Sequence, residues 1–484
     1  MKICKVINNI VFYFCLFGFV LYGCMPENST DVALEISEGS FTTPLEIPIQ
    51  TNQNTFLLEA GNSPTNLLKD KTSTNANAFN KGIPVIIAKR GDQINVNYQN
   101  NLSEESNIHW HGIMVPSSMD GHPKDAVPAG QSRNYSFTIN QRASTAWFHP
   151  HPHMKTAKQV FSGLAGMFII NDEVEIALNL PAGEREIPLV LSDKRFSSSG
   201  DLDYNPTGAD IMRGYLGDKC IVNNISAPYL DVKTAFYRFR IVNSSNARIY
   251  DLALSNGQNI IIIGNDGGLL EKPIAISHAL LSPGERLDVL IDFTKVPIGS
   301  NIFLQSNAND ILDHGNKPFK IMKFNITEAI PDEFVIPTNL SNIPLLDIGQ
   351  SKRNRAFALP PLHMSGSNGG GHMAGSHTIN GRVFDMDRID ETVNAGDIEV
   401  WEFDNTQGGD PHPMHLHGVL FQVLDKINGT IMPYERGWKD TILIKKGESV
   451  KIIVQFPSDK GVYLMHCHNL EHEDDGMMLN FEVK

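Results

Sequence analysis

His466-Cys467-His468-Asn469-Leu470-Glu471-His472-Glu473-Asp474-Asp475-Gly476-Met477-Met478 lies near the C-terminal end of the chain, and the rest is read outward from it. In an extended strand successive side chains point to opposite faces. Cys467 then points one way, and His466 and His468 point the other. A thiolate on one centre is thus joined by covalent bonds to two imidazoles on a second. His472 and Met477 follow five and ten residues after the cysteine and can turn back to its side. With His412 upstream they give two histidines, one cysteine and a weak axial methionine. That is the ligand set of a blue-copper electron-transfer site.

Three more clusters share this alternation. His109-Trp110-His111-Gly112 places His109 and His111 on one face. His149-Pro150-His151-Pro152-His153 does the same for His149 and His151, and its prolines suit an edge or terminal stretch. His153 reads as a surface residue. In His412-Pro413-Met414-His415-Leu416-His417, His415 and His417 share a face while His412 is offset by three, so one segment can feed two centres. Taken singly, each pair reads equally well as surface histidines. Taken together, the clusters exceed what a closed four-ligand zinc site needs. A Cys–His nucleophile leaves the other histidines unexplained.

Around these clusters the chain repeats itself. Arg90-Gly91-Asp92 leads through a strand-like stretch to the first H-x-H-G, and Ala395-Gly396-Asp397 leads likewise to His415-Leu416-His417-Gly418. A second theme, a Gly turn before an apolar strand, occurs at Ala129-Gly130-Gln131, Pro283-Gly284-Glu285 and Lys446-Gly447-Glu448. Alternating apolar runs after such turns read as β-strands. An all-β chain of three strand-rich units is expected, at residues 40–175, 176–340 and 350–484, with a linker over 336–359. The middle unit carries no histidine cluster. Its size is ordinary for a domain.

The N-terminus reads as a processing segment. Lys2 and Lys5 precede an apolar run from Ile10 to Leu21, which suits a secretory signal over 1–23. Leu21-Tyr22-Gly23-Cys24 resembles a bacterial lipobox, although Tyr22 stands where a small residue is usual. Lipidation of Cys24, with residues 24–39 as a tether, implies an exported lipoprotein of the periplasm or cell envelope. Of the five cysteines, Cys220 and Cys467 remain outside this segment. Counting permits a bridge between them, but Cys467 between two histidines argues for a metal thiolate, and Cys220 reads as a buried apolar residue. The formal net charge of -14 argues against a nucleic-acid partner.

The four clusters, in this order, resemble the multicopper oxidases, and Ile379 to Met386, Gly437 to Thr441 and Leu470 to Asp474 look most like the bacterial copper-efflux (cuprous) oxidases and laccases. The resemblance implies three cupredoxin-like Greek-key β-sandwiches and four copper ions. Type 1 copper would take His412, Cys467 and His472 with Met477 axial; type 2, His109 and His415; and the type 3 pair, His111, His149, His151, His417, His466 and His468. Asp120 and Glu473 match the family's proton-relay acids. The implied activity is one-electron oxidation of a reductant coupled to four-electron reduction of O2 to water. Cu(I) is the expected reductant, with phenols also taken, which fits copper tolerance. The short stretch 362–377 holds two His-Met pairs and a further histidine, and thioether and imidazole suit Cu(I); a plain Gly/Ser loop is the other reading. A general laccase or bilirubin-oxidase-like enzyme, and a copper-binding scaffold with little turnover, are the alternatives. A monomer is expected.

Overall fold

Gln93–Asn100 shows why this sequence makes sheets. Ile94, Val96 and Tyr98 are buried on one side of the strand while Gln93 and Asn97 face solvent. Each buried side chain of this size contributes about 1.5–3 kcal/mol of transfer free energy. The computed structural model describes residues 36–68, 74–309, 311, 317–361 and 377–484. The presequence, Cys24, most of the tether and residues 362–376 lie outside the described residues.

The fold is three cupredoxin-like β-sandwiches. In the first, the sheet of Gln50–Thr51, Val85–Lys89, Gly166–Asn171 and Ser144–Phe148 faces the sheet of Asn77–Phe79, Thr55–Asn62, Gln93–Asn100 and Ser132–Thr138. Leu58, Ile94, Trp110, Tyr135 and Phe168 belong to the core between them. The middle unit packs a seven-stranded sheet, centred on Glu186–Lys194, Phe236–Asn243 and Arg286–Asp292, against a six-stranded one. The short strand Thr43–Pro44 joins that second sheet in parallel with Pro228–Lys233, so the chain touches the middle unit before building the first. In the last unit, Arg353–Ala358, Ile398–Asp404, Ser449–Gln455 and Phe421–Ile427 oppose Glu391–Val393, Met478–Val483, Gly461–Cys467, His412–Leu416 and Thr441–Ile444. Among the described residues no helix is long and apolar enough to cross a membrane.

Several strands depart from in–out alternation, two of them beside the histidines. Ser144–Phe148 and His412–Leu416 are buried at every residue. One face of each packs on its own sandwich core and the other faces a neighbouring unit. These strands lead into or carry the histidine clusters, which is how imidazoles come to lie far from water.

Candidate metal centres

Pairing brings the clusters together two by two. His109 and His149 form an isolated antiparallel bridge, with His109 N donating to His149 O at 2.9 Å and His149 N to His109 O at 3.2 Å. In the last unit His412–Leu416 pairs with Gly461–Cys467, setting His415 opposite His466 and Met414 opposite Cys467. The two bridged pairs then face each other. His109 stacks on His417 with ring centroids 3.6 Å apart, and His111 on His415 at 3.7 Å.

Backbone and carboxylate acceptors fix which nitrogen each ring turns inward. His109 Nδ1 donates to Asp120 O at 2.8 Å and His415 Nδ1 to Asp440 O at 2.9 Å, leaving their Nε2 atoms facing each other at 3.3 Å. His417 Nδ1 donates to Asp120 Oδ2 at 2.7 Å, and its Nε2 lies 3.0 Å from His466 Nε2, which is 3.3 Å from His151 Nε2. His111 reverses the pattern: its Nε2 lies 3.1 Å from Asp440 Oδ1, so Nδ1 is the inward atom. Inward nitrogens crowded in this way, with no proton between them, suit a shared cation.

The buried polar atoms give the test of fit. His111 Nδ1, His149 Nε2, His151 Nδ1 and both ring nitrogens of His468 are buried without a hydrogen-bond partner. A buried polar group left unpaired costs about 1–3 kcal/mol. Metal coordination would satisfy one such nitrogen on each ring, and imidazole suits copper. Burial pushes His109, His111, His151, His415, His417 and His468 well below the ordinary histidine value, and His149 down to about 3, so the rings are neutral with lone pairs available.

The second centre is smaller. Cys467 Sγ lies 3.6 Å from His412 Nδ1 and 3.7 Å from His472 Nδ1, and those two nitrogens are 3.2 Å apart. For a metal about 2.0–2.1 Å from nitrogen and about 2.3 Å from sulfur, the edges of a ligand triangle have these lengths. Met477 is buried opposite the cysteine, its carbonyl accepting from Cys467 N at 3.0 Å. Burial pushes the Cys467 thiol up, so the thiolate needs a bound cation to persist.

Leu470–Asp474, a single turn of helix, sorts three side chains to three destinations. Consecutive helical residues point about 100° apart. His472 returns to the cysteine. Glu473 reaches the cluster, with Oε2 3.1 Å from His466 Nδ1 and Oε1 3.4 Å from His151 Nε2. Glu471 leaves for the middle unit, where it accepts from Tyr215 N at 2.8 Å and Asn246 Nδ2 at 2.7 Å. On the cluster's far side, burial pushes the Asp120 carboxyl well above the usual carboxylate range, and its Oδ1 has no hydrogen-bond partner.

Not every histidine joins. His153 packs on Phe384 at 5.6 Å, outside the cluster. Cys220 is a buried free thiol, and no disulfide joins it to Cys467. Other residues matter although spacing gives no sign of them. His377 stacks on His472 at 3.9 Å, and its Nδ1 donates to Asp475 Oδ2 at 2.8 Å. Met212 O accepts from His472 Nε2 at 3.0 Å, which leaves Nδ1 for the centre. Asp440 holds His111. It lies in the stretch 437–441 that carries the family resemblance, but nothing in the spacing gives it this role.

Three sandwiches, a Cys–His–His triangle and a buried histidine cluster define a copper-dependent oxidoreductase. Multicopper oxidase family models match residues 63–175 and 358–484. The multicopper oxidase mco of Staphylococcus haemolyticus is 35% identical over 435 residues, spanning 88% of each chain. The crystal structure of the McoA multicopper oxidase from the hyperthermophile Aquifex aeolicus superposes with a TM-score of 0.84 at 36% identity, over 93% of this chain and 100% of that one. A multicopper oxidase from Campylobacter jejuni, described as a metallo-oxidase, gives 0.82 at 31% identity, over 94% and 98%. The chain belongs to the multicopper oxidase family. It is therefore an oxidoreductase that uses O2 as acceptor.

Proposed function

We propose that the physiological reductant is Cu(I), oxidised in the service of copper tolerance, with phenols taken as well. The observation that carries this is His377. It is the last residue of the His/Met-containing sequence 362–377 and stacks directly on His472 at the candidate entry centre. The metallo-oxidase described from Campylobacter jejuni supports the same direction. A second reading, a general laccase, is favoured by a cavity of about 330 Å³ beside Glu471, lined by Met154, Tyr204, Pro206 and Ile211, which suits a small aromatic reductant.

We assign four copper ions. His412, Cys467, His472 and Met477 would hold type 1; His109 and His415 would hold type 2; His111, His149, His151, His417, His466 and His468 would hold the type 3 pair. Bound copper supplies the one-electron redox steps and the reduction of O2. The residues do the rest. Cys467, between His466 and His468, links the two centres through bonds. Asp120 and Glu473, buried against the cluster histidines, hold and pass the protons that water formation consumes. The sandwich boundaries near 40–175, 176–340 and 350–484, export as a Cys24-anchored lipoprotein and a monomeric state complete the proposal.

Oxygen uptake by copper-loaded protein tests it. Uptake with Cu(I) well above that with phenols is expected. The reverse preference would favour the laccase reading. No uptake with either would leave a copper-binding scaffold.

A further inference from the structure

The middle unit has no candidate copper ligand, yet its Pro283-Gly284-Glu285-Arg286 turn is pressed against the histidine cluster. A Cβ on Gly284 would lie 2.8 Å from His468 Cδ2 and 3.0 Å from His111 Cε1. Arg286 follows, fully buried, and makes a two-pronged ion pair with Asp440, Nη1 to Oδ1 at 2.7 Å and Nη2 to Oδ2 at 2.5 Å. Its remaining donors go to Thr145 O at 2.9 Å, Gly284 O at 2.9 Å and Asp266 O at 3.1 Å. All five guanidinium N–H groups are thereby used. The arginine has no freedom to turn, and neither has the carboxylate it grips.

Asp440 touches two rings of the cluster by two different groups. Its Oδ1 accepts from His111 Nε2 at 3.1 Å, and its backbone carbonyl accepts from His415 Nδ1 at 2.9 Å. The rings are stacked 3.7 Å apart and nearly parallel. One residue, accepting from both, therefore holds the N–H of two adjacent histidines on opposite nitrogens. His111 is left with Nδ1 for the centre and His415 with Nε2. Gly112 belongs to the same device. A side chain there would collide with Arg286 Nη2 and sit 2.8 Å from Asp440 Oδ2. The glycine that ends the first H-x-H-G leaves room for an ion pair from elsewhere in the chain.

We propose that Arg286 is a positioning residue of the histidine cluster: by fixing the Asp440 carboxylate it sets the tautomer of His111 opposite to that of its stacked neighbour His415, which the Asp440 backbone carbonyl holds, and so decides which nitrogen His111 presents to copper. This rests on the ligand assignment given above. It also gives the copper-free middle sandwich a task in the chemistry. Partners that orient metal-binding histidines are typically worth about 10–100-fold in metal affinity.

The test begins without metal. Long-range ¹H–¹⁵N spectra of the copper-free protein, labelled at histidine, should show His111 protonated at Nε2 and His415 at Nδ1. Arg286→Met should mix the tautomers at His111 and leave His415, held by a backbone carbonyl, protonated at Nδ1. On reconstitution it should keep the blue absorption of the Cys467 centre but bind copper at the cluster about 10–100-fold more weakly. Arg286→Lys keeps the charge without the fork and should fall between. An unpaired buried Asp440 can itself unfold the protein, so Arg286→Met/Asp440→Leu removes both charges. It should fold, turn blue and still underload the cluster. An unchanged His111 tautomer in Arg286→Met, or a full copper complement in the double variant, would overturn the proposal. A wild type with the stated tautomers that binds no copper at the cluster would overturn the ligand assignment instead.

Discussion

His412, Cys467, His472 and Met477 lie within the last third of the chain, whereas the histidine cluster draws on both ends, from His109 to His468. The Cys467 centre takes its ligands from one sandwich, with a single carbonyl support from Met212 of the middle unit. The antiparallel pairing of His412–Leu416 with Gly461–Cys467 brings two of its ligands together, and one helical turn returns a third. The cluster exists only where the first and last sandwiches dock, and the middle one braces it through Arg286 and Gly284. The Cys467 centre should therefore tolerate damage between the units, and the cluster should not. Two segments serve both centres, His412 to His417 and, with its ligands on adjacent residues, His466-Cys467-His468.

Severing the second of these segments is the strongest perturbation. Cys467→Ser removes the thiolate ligand while leaving His466 and His468 in place. Blue absorption should vanish and oxygen uptake should fall to background, yet copper should still bind at the cluster. A variant that remained blue would refute the ligand assignment. One that lost all its copper would show that the two centres do not form independently.

Next in size is a change confined to the cluster. Asp120→Asn keeps an oxygen to accept from His417 Nδ1 but cannot deliver a proton. Steady-state oxygen reduction should fall roughly 10²- to 10⁴-fold, the usual range for a positioned acid–base group. Anaerobic bleaching of the blue centre by reductant should be unchanged. A rate within twofold of wild type would remove Asp120 from the proton path.

The two centres also differ in how well sequence announces them. H-x-H spacing is local, so the candidate ligands can be read one segment at a time. The Gln93–Asn100 alternation announces its strand in the same way. The supports cannot be read so. Met212 acts on His472 through a carbonyl, which no side chain advertises. Arg286 and Asp440 are 154 residues apart and belong to different units. Gly112 reads as part of a motif, and only the packed structure shows that the space it leaves belongs to Arg286. Ser144–Phe148 and His412–Leu416 lose their alternation because both faces are covered, a consequence of docking rather than of local sequence.

Acid should separate the centres more gently. Burial lowers the pKa of seven cluster histidines and of His412 and His472 at the smaller centre. A base whose folded pKa is depressed binds fewer protons folded than unfolded. Its stability contribution is intact above the unfolded value of about 6.5 and is lost as pH falls below it. Each such histidine costs about 1.4 kcal/mol per pH unit below that point. The melting temperature of copper-free protein should drop between about pH 7 and about pH 5, and copper should blunt the drop by occupying the same lone pairs. A flat profile without copper would mean the cluster is already open to water.

The smallest effect asks how the electron enters. His377 is buried on His472, bound through Nδ1 to Asp475 Oδ2 at 2.8 Å and with Nε2 3.3 Å from Met212 O. His377→Phe keeps a flat ring on His472 and removes both polar anchors. A hydrogen bond is worth about 0.5–1.5 kcal/mol net, so the effect should be a rise in KM of roughly two- to tenfold. If His377 tethers the His/Met stretch for Cu(I), the rise should appear with Cu(I) and not with a small phenol. An equal rise for both would make the ring a packing partner of His472 alone. The blue absorption separates either case from damage to the centre itself, because it should not move while Cys467, His412 and His472 keep their triangle.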